Sequence, residues 1–202
     1  MATIPAQQPA TGSGLRLYRL TVPQFKAMID AGVFQDGARV ELLAGILVEK
    51  MTKNDPHDYT VDYLGKELDR RLAPAWIARE EKSVDLGRRW RPEPDIALVR
   101  GPRDRYAQAA PQAADIALIA EVSDTSTSKD RKLKWTKYAA ARIPYYWILL
   151  IGKKQIEVHS RPTGRGASAK YQDVVTYAAG SEVPVIVADQ EVARIAVSAV
   201  MP

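Results

Sequence analysis

From Leu15 onward the chain alternates short apolar runs with polar breaks, and the breaks carry turn and cap chemistry. Phe25, Met28 and Ile29 recur at helical spacing between Thr21 and Gly32. They predict a short helix with Thr21 as N-cap, Pro23 in its first turn and Gly32 closing it. Residues 40–43 and 46–51 flank Ala44-Gly45 and read as a β-hairpin. Asn54 or Asp55 caps a second helix that runs to about Leu72 before Pro74. Its apolar stripe is Val61, Leu64, Leu68 and Leu72, and its polar face carries Lys66, Asp69, Arg70 and Arg71. Residues 75–90 read as two short strands around Asp85 and Gly87, followed by the apolar run 96–99. A polar loop over 100–114, with Gly101, Pro102 and Pro111, is the expected flexible connection, and a second apolar run follows at 116–120.

Beyond the polar turn at 124–128, a helix is expected over 130–142, and Pro144 opens an aromatic-rich strand over 145–151. Strands at 155–160, 170–177, 183–187 and 193–197 complete the chain, with Gly164-Arg165-Gly166 as a hairpin tip. The expected architecture is one α/β domain of the α+β type over residues 15–202, with a mixed, largely antiparallel sheet flanked by helices. Residues 1–14, rich in Ala, Thr, Pro, Gln, Gly and Ser, read as a disordered leader.

Composition narrows the chemistry. With 202 residues and 46% hydrophobic positions the chain can bury a sizeable core, and no apolar run approaches membrane-spanning length. No cysteine is present, so thiolate metal sites and disulfides are excluded, which fits a reducing cytoplasm. His57 and His159 are the only imidazoles, which argues against zinc. A net charge of +5 is compatible with a polyanionic partner and does not by itself identify one. There is no Walker-type lysine motif and no dinucleotide fingerprint.

Two acids stand out by position. Asp95 precedes one apolar run and Glu121 follows the other, so antiparallel pairing of the two strands brings them side by side at one sheet edge. With Lys134 on the next helix, they make the set that a hard divalent metal and an attacking water need, Val122 offering a carbonyl as a third oxygen. Asp130, Lys134 and Tyr138 lie four apart on one helix face, which suits an active-site face and equally an exposed Asp–Lys pair. Arg88, Arg89 and Arg91, clustered around Trp90, offer contacts to DNA phosphates, against the commoner reading of a solvated charge run. Ser123 and the hydroxyls after it offer hydrogen bonds to a phosphate, although turn formation also accounts for them.

At these residues the sequence resembles the PD-(D/E)XK restriction-endonuclease superfamily. Within it the chain resembles the Uma-type endonuclease family, formerly a domain of unknown function. The resemblance runs from about Thr21 to Ile195. It is carried by Glu41-Leu42-Leu43-Ala44-Gly45, His57 opening a helix, Pro94-Asp95, and Glu121-Val122-Ser123 with its Ser/Thr turn. Asp130, Lys134, Tyr138, Ile143-Pro144 and Tyr146-Trp147 continue it. It implies a restriction-endonuclease-like core and metal-dependent hydrolysis of DNA phosphodiesters, with Mg2+ as cofactor and Mn2+ as a substitute. One departure is that Ser123 stands where the usual motif has its lysine; Lys134 on the following helix matches the migrated position, with Lys129 and Lys132 as competitors. Glu41 matches an acid this superfamily contributes from an early element, against a plain ion pair with Arg39 or Lys50. His57 is within the reading as a phosphate or leaving-oxygen contact, against a residue of a helix start. A two-fold homodimer would suit double-strand cutting by symmetry. The competing functions are a nuclease-like binding module that does not cut, and a structural scaffold with its acids held in buried salt bridges.

Overall fold

The computed structural model describes residues 16–50, 54–123 and 129–202, the side chains of 129–131 excepted. The expected leader over 1–14, the Ser/Thr turn at 124–128 and the side chains of Lys129 and Asp130 lie outside the described residues.

Helix α1 (Val22–Asp30) starts at a capping box in which Thr21 and Gln24 satisfy each other's backbone N–H groups. Phe25 and Val22 are buried, whereas Ile29, expected in the stripe, is exposed. The hairpin β1 (Val40–Leu43) and β2 (Ile46–Glu49) turns at Ala44 and Gly45, both at positive φ, the geometry a two-residue hairpin turn requires. Helix α2 (Asp55–Leu72) is capped by Asn54 and buries Val61, Leu64 and Leu68.

Six strands form the central sheet: β3 (Trp76–Glu80), β4 (Ile96–Arg100), β5 (Ile116–Ser123), β6 (Tyr145–Leu150), β7 (Gln155–Thr163) and β8 (Lys170–Ala178), in that spatial order. Every neighbouring pair is antiparallel except β5 and β6, which are parallel and joined through helix α3 (Lys129–Ala140). A separate hairpin, β9 (Glu182–Val187) with β10 (Gln190–Ala196), leads into the short helix α4 (Val197–Val200).

The near-continuous apolar runs of β4, β5 and β6 follow from burial on both faces. Ile96, Leu98, Leu118, Ala120, Trp147 and Leu149 pack toward α2, α4 and the β9–β10 hairpin. Ala97, Val99, Ile119, Tyr146 and Ile148 alternate with them and pack with Tyr138 and Ala139 of α3. Glu121 shares the odd-numbered register of Ile119, so the period of two aims it toward Lys134 and Tyr138 of α3, while Asp95, just before β4, meets His57 in the first turn of α2.

One expectation is corrected. Residues 75–90 contain one strand, β3, and then a loop that closes on itself through Val84 N–Pro92 O and Leu86 N–Trp90 O hydrogen bonds. Glu81 at positive φ ends the strand, and only isolated bridges, Asp85 with Gln112 and Arg91 with Leu42, follow. The 100–114 connection is organised by one-turn helices at Arg103–Tyr106 and Ala113–Asp115, with Tyr106 buried and donating to the Arg100 carbonyl.

Candidate active site

The β4–β5 register pairs Ile96 with Ala120 and so sets Asp95 beside Glu121. The Val122 backbone N–H donates to Asp95 Oδ2 at 2.9 Å, locking the carboxylate to the neighbouring strand. Three further segments close around this pair. The Asn54 cap accepts from the His57 N–H and fixes the first turn of α2, which places His57 Nε2 3.3 Å from Asp95 Oδ2. Lys50, just beyond β2, reaches Asp95 Oδ1 at 3.1 Å and the Glu93 carbonyl at 2.8 Å. From α3, Lys134 Nζ lies 3.1 Å from Glu41 Oε2 and 3.3 Å from Glu121 Oε1, and the Tyr138 hydroxyl donates to Glu121 Oε1 at 2.8 Å.

Glu41 is held from the other side by the Glu93 N–H, at 3.0 Å. Its partners are therefore Lys134 and Glu93, rather than the Arg39 or Lys50 of the ion-pair alternative. Arg39 instead joins Glu81 and Glu93. Likewise Lys134 is buried and turned inward, so the exposed Asp130–Lys134 pair does not describe it.

Burial and charge set the protonation states. Burial works against ionisation of Asp95, but the His57 hydrogen bond, the Lys50 charge and the Val122 N–H outweigh it and hold the carboxyl below its ordinary value. Burial pushes the Glu121 carboxyl up, with Lys134 opposing and Asp95 adding to the rise. Lys134 is also desolvated, yet Glu121 and Glu41 dominate and raise its pKa, so it stays an ammonium at any physiological pH. Burial and the Glu121 charge raise Tyr138, keeping it a hydroxyl donor. Two adjacent carboxyls are thus driven in opposite directions, a pattern concentrated at functional sites.

Among the described residues no group of three or more His, Asp or Glu side chains is assembled as a metal cage. The chemistry of the donors nevertheless fits magnesium, which takes one or two carboxylates and completes its shell with water and phosphate. Asp95 and Glu121 supply such a pair, and the burial that raises Glu121 favours a nearby cation.

The remaining candidates separate. Lys132 is exposed, on a different face from Lys134. Arg91 does not serve as a free phosphate contact: it ion-pairs with Asp85, and its backbone bridges Leu42. Arg88 and Arg89 are exposed on the 87–90 turn. Ser123 ends β5, half-buried. Tyr146 and Trp147 are core residues, and Trp90 lies under the Lys137 ammonium, 5.2 Å from its ring centre. The sequence reading missed the part of Lys50. The hairpin register could have found it, because Glu41 opposes Val48 and Lys50 lies two residues further along the same face.

The sheet order, the parallel β5–α3–β6 unit and the acids at the β4–β5 junction define a nuclease-like α+β fold. A crystal structure from Anabaena variabilis ATCC 29413, described as a putative nuclease belonging to DUF820, superposes with a TM-score of 0.66 at 12% identity. That match covers 90% of this chain and 97% of the other. The family model Uma2, described as "Putative restriction endonuclease", matches residues 22–193, and the chain belongs to that family. No curated protein matches the sequence.

Proposed function

We propose that the protein is a metal-dependent DNA endonuclease that hydrolyses phosphodiester bonds with a metal-activated water. The observation that carries this reading is the convergence of Asp95, Glu121 and Lys134, from three separate elements, in one buried cluster completed by Glu41, His57 and Lys50. Family membership supports the same class of reaction.

Asp95 and Glu121, with the Val122 carbonyl, would hold Mg2+ or Mn2+. When bound, the ion supplies a water of lowered pKa and offsets charge on the phosphate. Lys134, protonated and held by two carboxylates, cannot accept a proton. It acts as a fixed positive charge facing the negative charge that grows on the phosphoryl oxygens. Glu41 positions that ammonium, and Tyr138 holds Glu121 Oε1 from the α3 side. His57 orients Asp95 and is available to a phosphate oxygen.

The non-cutting binding module is favoured by one specific observation: Asp95 and Glu121 already have cationic partners within the protein. The two readings part in a simple assay. Supercoiled plasmid and a single-strand pool are incubated with the protein and Mg2+, Mn2+ or EDTA. The nuclease reading expects ion-dependent cleavage. No cleavage of either substrate across both ions favours the binding module.

A further inference from the structure

The segment before α1, the tip of the β1–β2 hairpin and the 87–90 turn are stitched together by backbone hydrogen bonds. Leu20 N–H donates to the Gly45 carbonyl at 3.0 Å, Val22 N–H to Arg88 at 2.8 Å and Gly45 N–H to Arg89 at 2.9 Å. Beside this junction, between the segment leading into α1 and the 87–90 turn, lies an open cleft of about 750 Å³ lined by Arg16, Arg19, Arg88 and Arg89, with Tyr18 and Leu17. Tyr18 and Leu17 are large and exposed, at 75% and 69% respectively.

The charge in this cleft is uncompensated. No acidic side chain among the described residues lines it. Among the described residues Arg16, Arg88 and Arg89 make no ion pair with a carboxylate, and Arg19 donates only to the Ala44 carbonyl, at 3.0 Å. Elsewhere on the molecule Arg39, Arg70, Arg91, Arg103 and Arg161 are all matched to acids. Four guanidiniums gathered without counter-charge repel one another, and a polyanion relieves that repulsion. Guanidinium forks match phosphate oxygens in a bidentate manner that lysine does not reproduce.

The hairpin also sets the spacing. Its tip borders the cleft, while its base carries Glu41 and Lys50 of the candidate active site. Four-residue strands at about 3.3 Å per residue separate the two by roughly 13 Å. That reach keeps a contact in the cleft within a few nucleotides of the candidate site along one strand of a duplex, whose axial rise is about 3.4 Å per nucleotide.

We propose that this cleft is a docking site for the phosphate backbone of duplex DNA, gripping the strand within a few nucleotides of the bond presented to Asp95 and Glu121. The proposal rests on the nuclease reading for its substrate, and its test does not require cleavage. Binding of a fluorescently labelled 20-base-pair duplex is followed by anisotropy in EDTA across a salt series. The wild-type chain, Arg88→Ala/Arg89→Ala, Arg88→Lys/Arg89→Lys and a charge-matched control, Arg70→Ala/Arg71→Ala on α2, are compared.

Loss of two phosphate contacts lowers the log–log salt slope by about 1.8 in the alanine variant, at roughly 0.9 per contact. The lysine variant keeps most of the slope and binds more weakly. The α2 control keeps the wild-type slope. An unchanged slope in the cleft variant, an equal fall in the control, or no salt-dependent binding by the wild type overturns the proposal. A reduced slope in a protein that cuts no DNA supports the cleft and counts against the nuclease reading, so the two failures are distinct.

Discussion

Among the described residues Lys134 Nζ contacts two carboxylates, Glu41 and Glu121, so substituting it tests folding as well as the proposed chemistry. Lys134→Ala leaves Glu41 and Glu121 with an uncompensated buried charge and costs about 3–5 kcal/mol of folding stability, measurable by urea unfolding. Lys134→Arg keeps the charge and separates a catalytic effect from a folding one. Its folded-state pKa lies above the ordinary lysine value of 10.5, so its contribution to stability is complete below that value and is lost only as pH rises through the higher folded value. Removing the ammonium also removes what opposes the rise of Glu121, so the stability difference between wild type and Lys134→Ala widens with pH as that buried carboxyl ionises in the variant; a difference that shrinks between about pH 6 and pH 9 contradicts the assignment. Tyr138→Phe removes one donor to Glu121 while keeping the ring in the core, and is expected to cost about 1.5–3 kcal/mol. Asp95 and Glu121 were legible in the sequence because strand pairing alone brings them together. The hairpin register puts Lys50 on the face of Glu41, but its contact with Asp95 and the contact of Glu93 with Glu41 depend on how the hairpin packs against the sheet.

At the scale of elements, the hairpin and the cap of α2 act as brackets for the site. Gly45 sits at φ +81°, and a Cβ there would lie 2.7 Å from Arg19 Cβ and 2.9 Å from the Leu20 carbonyl. Gly32 has a similar φ of +66° but open space around it. Both alanine substitutions incur backbone strain of about 1–2 kcal/mol, and Gly45→Ala adds an overpacking cost of about 1–3 kcal/mol. Thermal unfolding of the two variants should differ by that second amount, and equal losses would show that the hairpin tip does not bear on the preceding segment. Asn54→Ala orphans the His57 N–H and is expected to cost about 1 kcal/mol while loosening the His57–Asp95 contact. Caps and the Ala44-Gly45 turn were readable because their chemistry is local. The supposed second strand over 75–90 misled because Asp85 and Gly87 mark a loop closing on itself as readily as a hairpin between strands.

Across the whole molecule, a sheet buried on both faces supports Asp95 and Glu121 at its β4–β5 pair. The long apolar runs of β4, β5 and β6 announced such a sheet, and the parallel β5–α3–β6 unit carries Lys134 back over the strand that holds Glu121. The β9–β10 hairpin forms a separate two-stranded sheet covering the α2 face, a division that short strands in sequence do not reveal. Among the described residues no helix is long and apolar enough to cross a membrane.

On the nuclease reading Asp95 serves hydrolysis rather than folding, and one substitution separates the two directly. Asp95→Asn keeps the side chain's shape and an oxygen for the Val122 N–H while removing the charge. Single-turnover cleavage of plasmid DNA by this variant, with Mg2+ and with unfolding monitored in parallel, should fall by at least about a hundredfold in a chain that remains folded. Cleavage at the wild-type rate by the folded variant would contradict the assignment of this cluster as the active site.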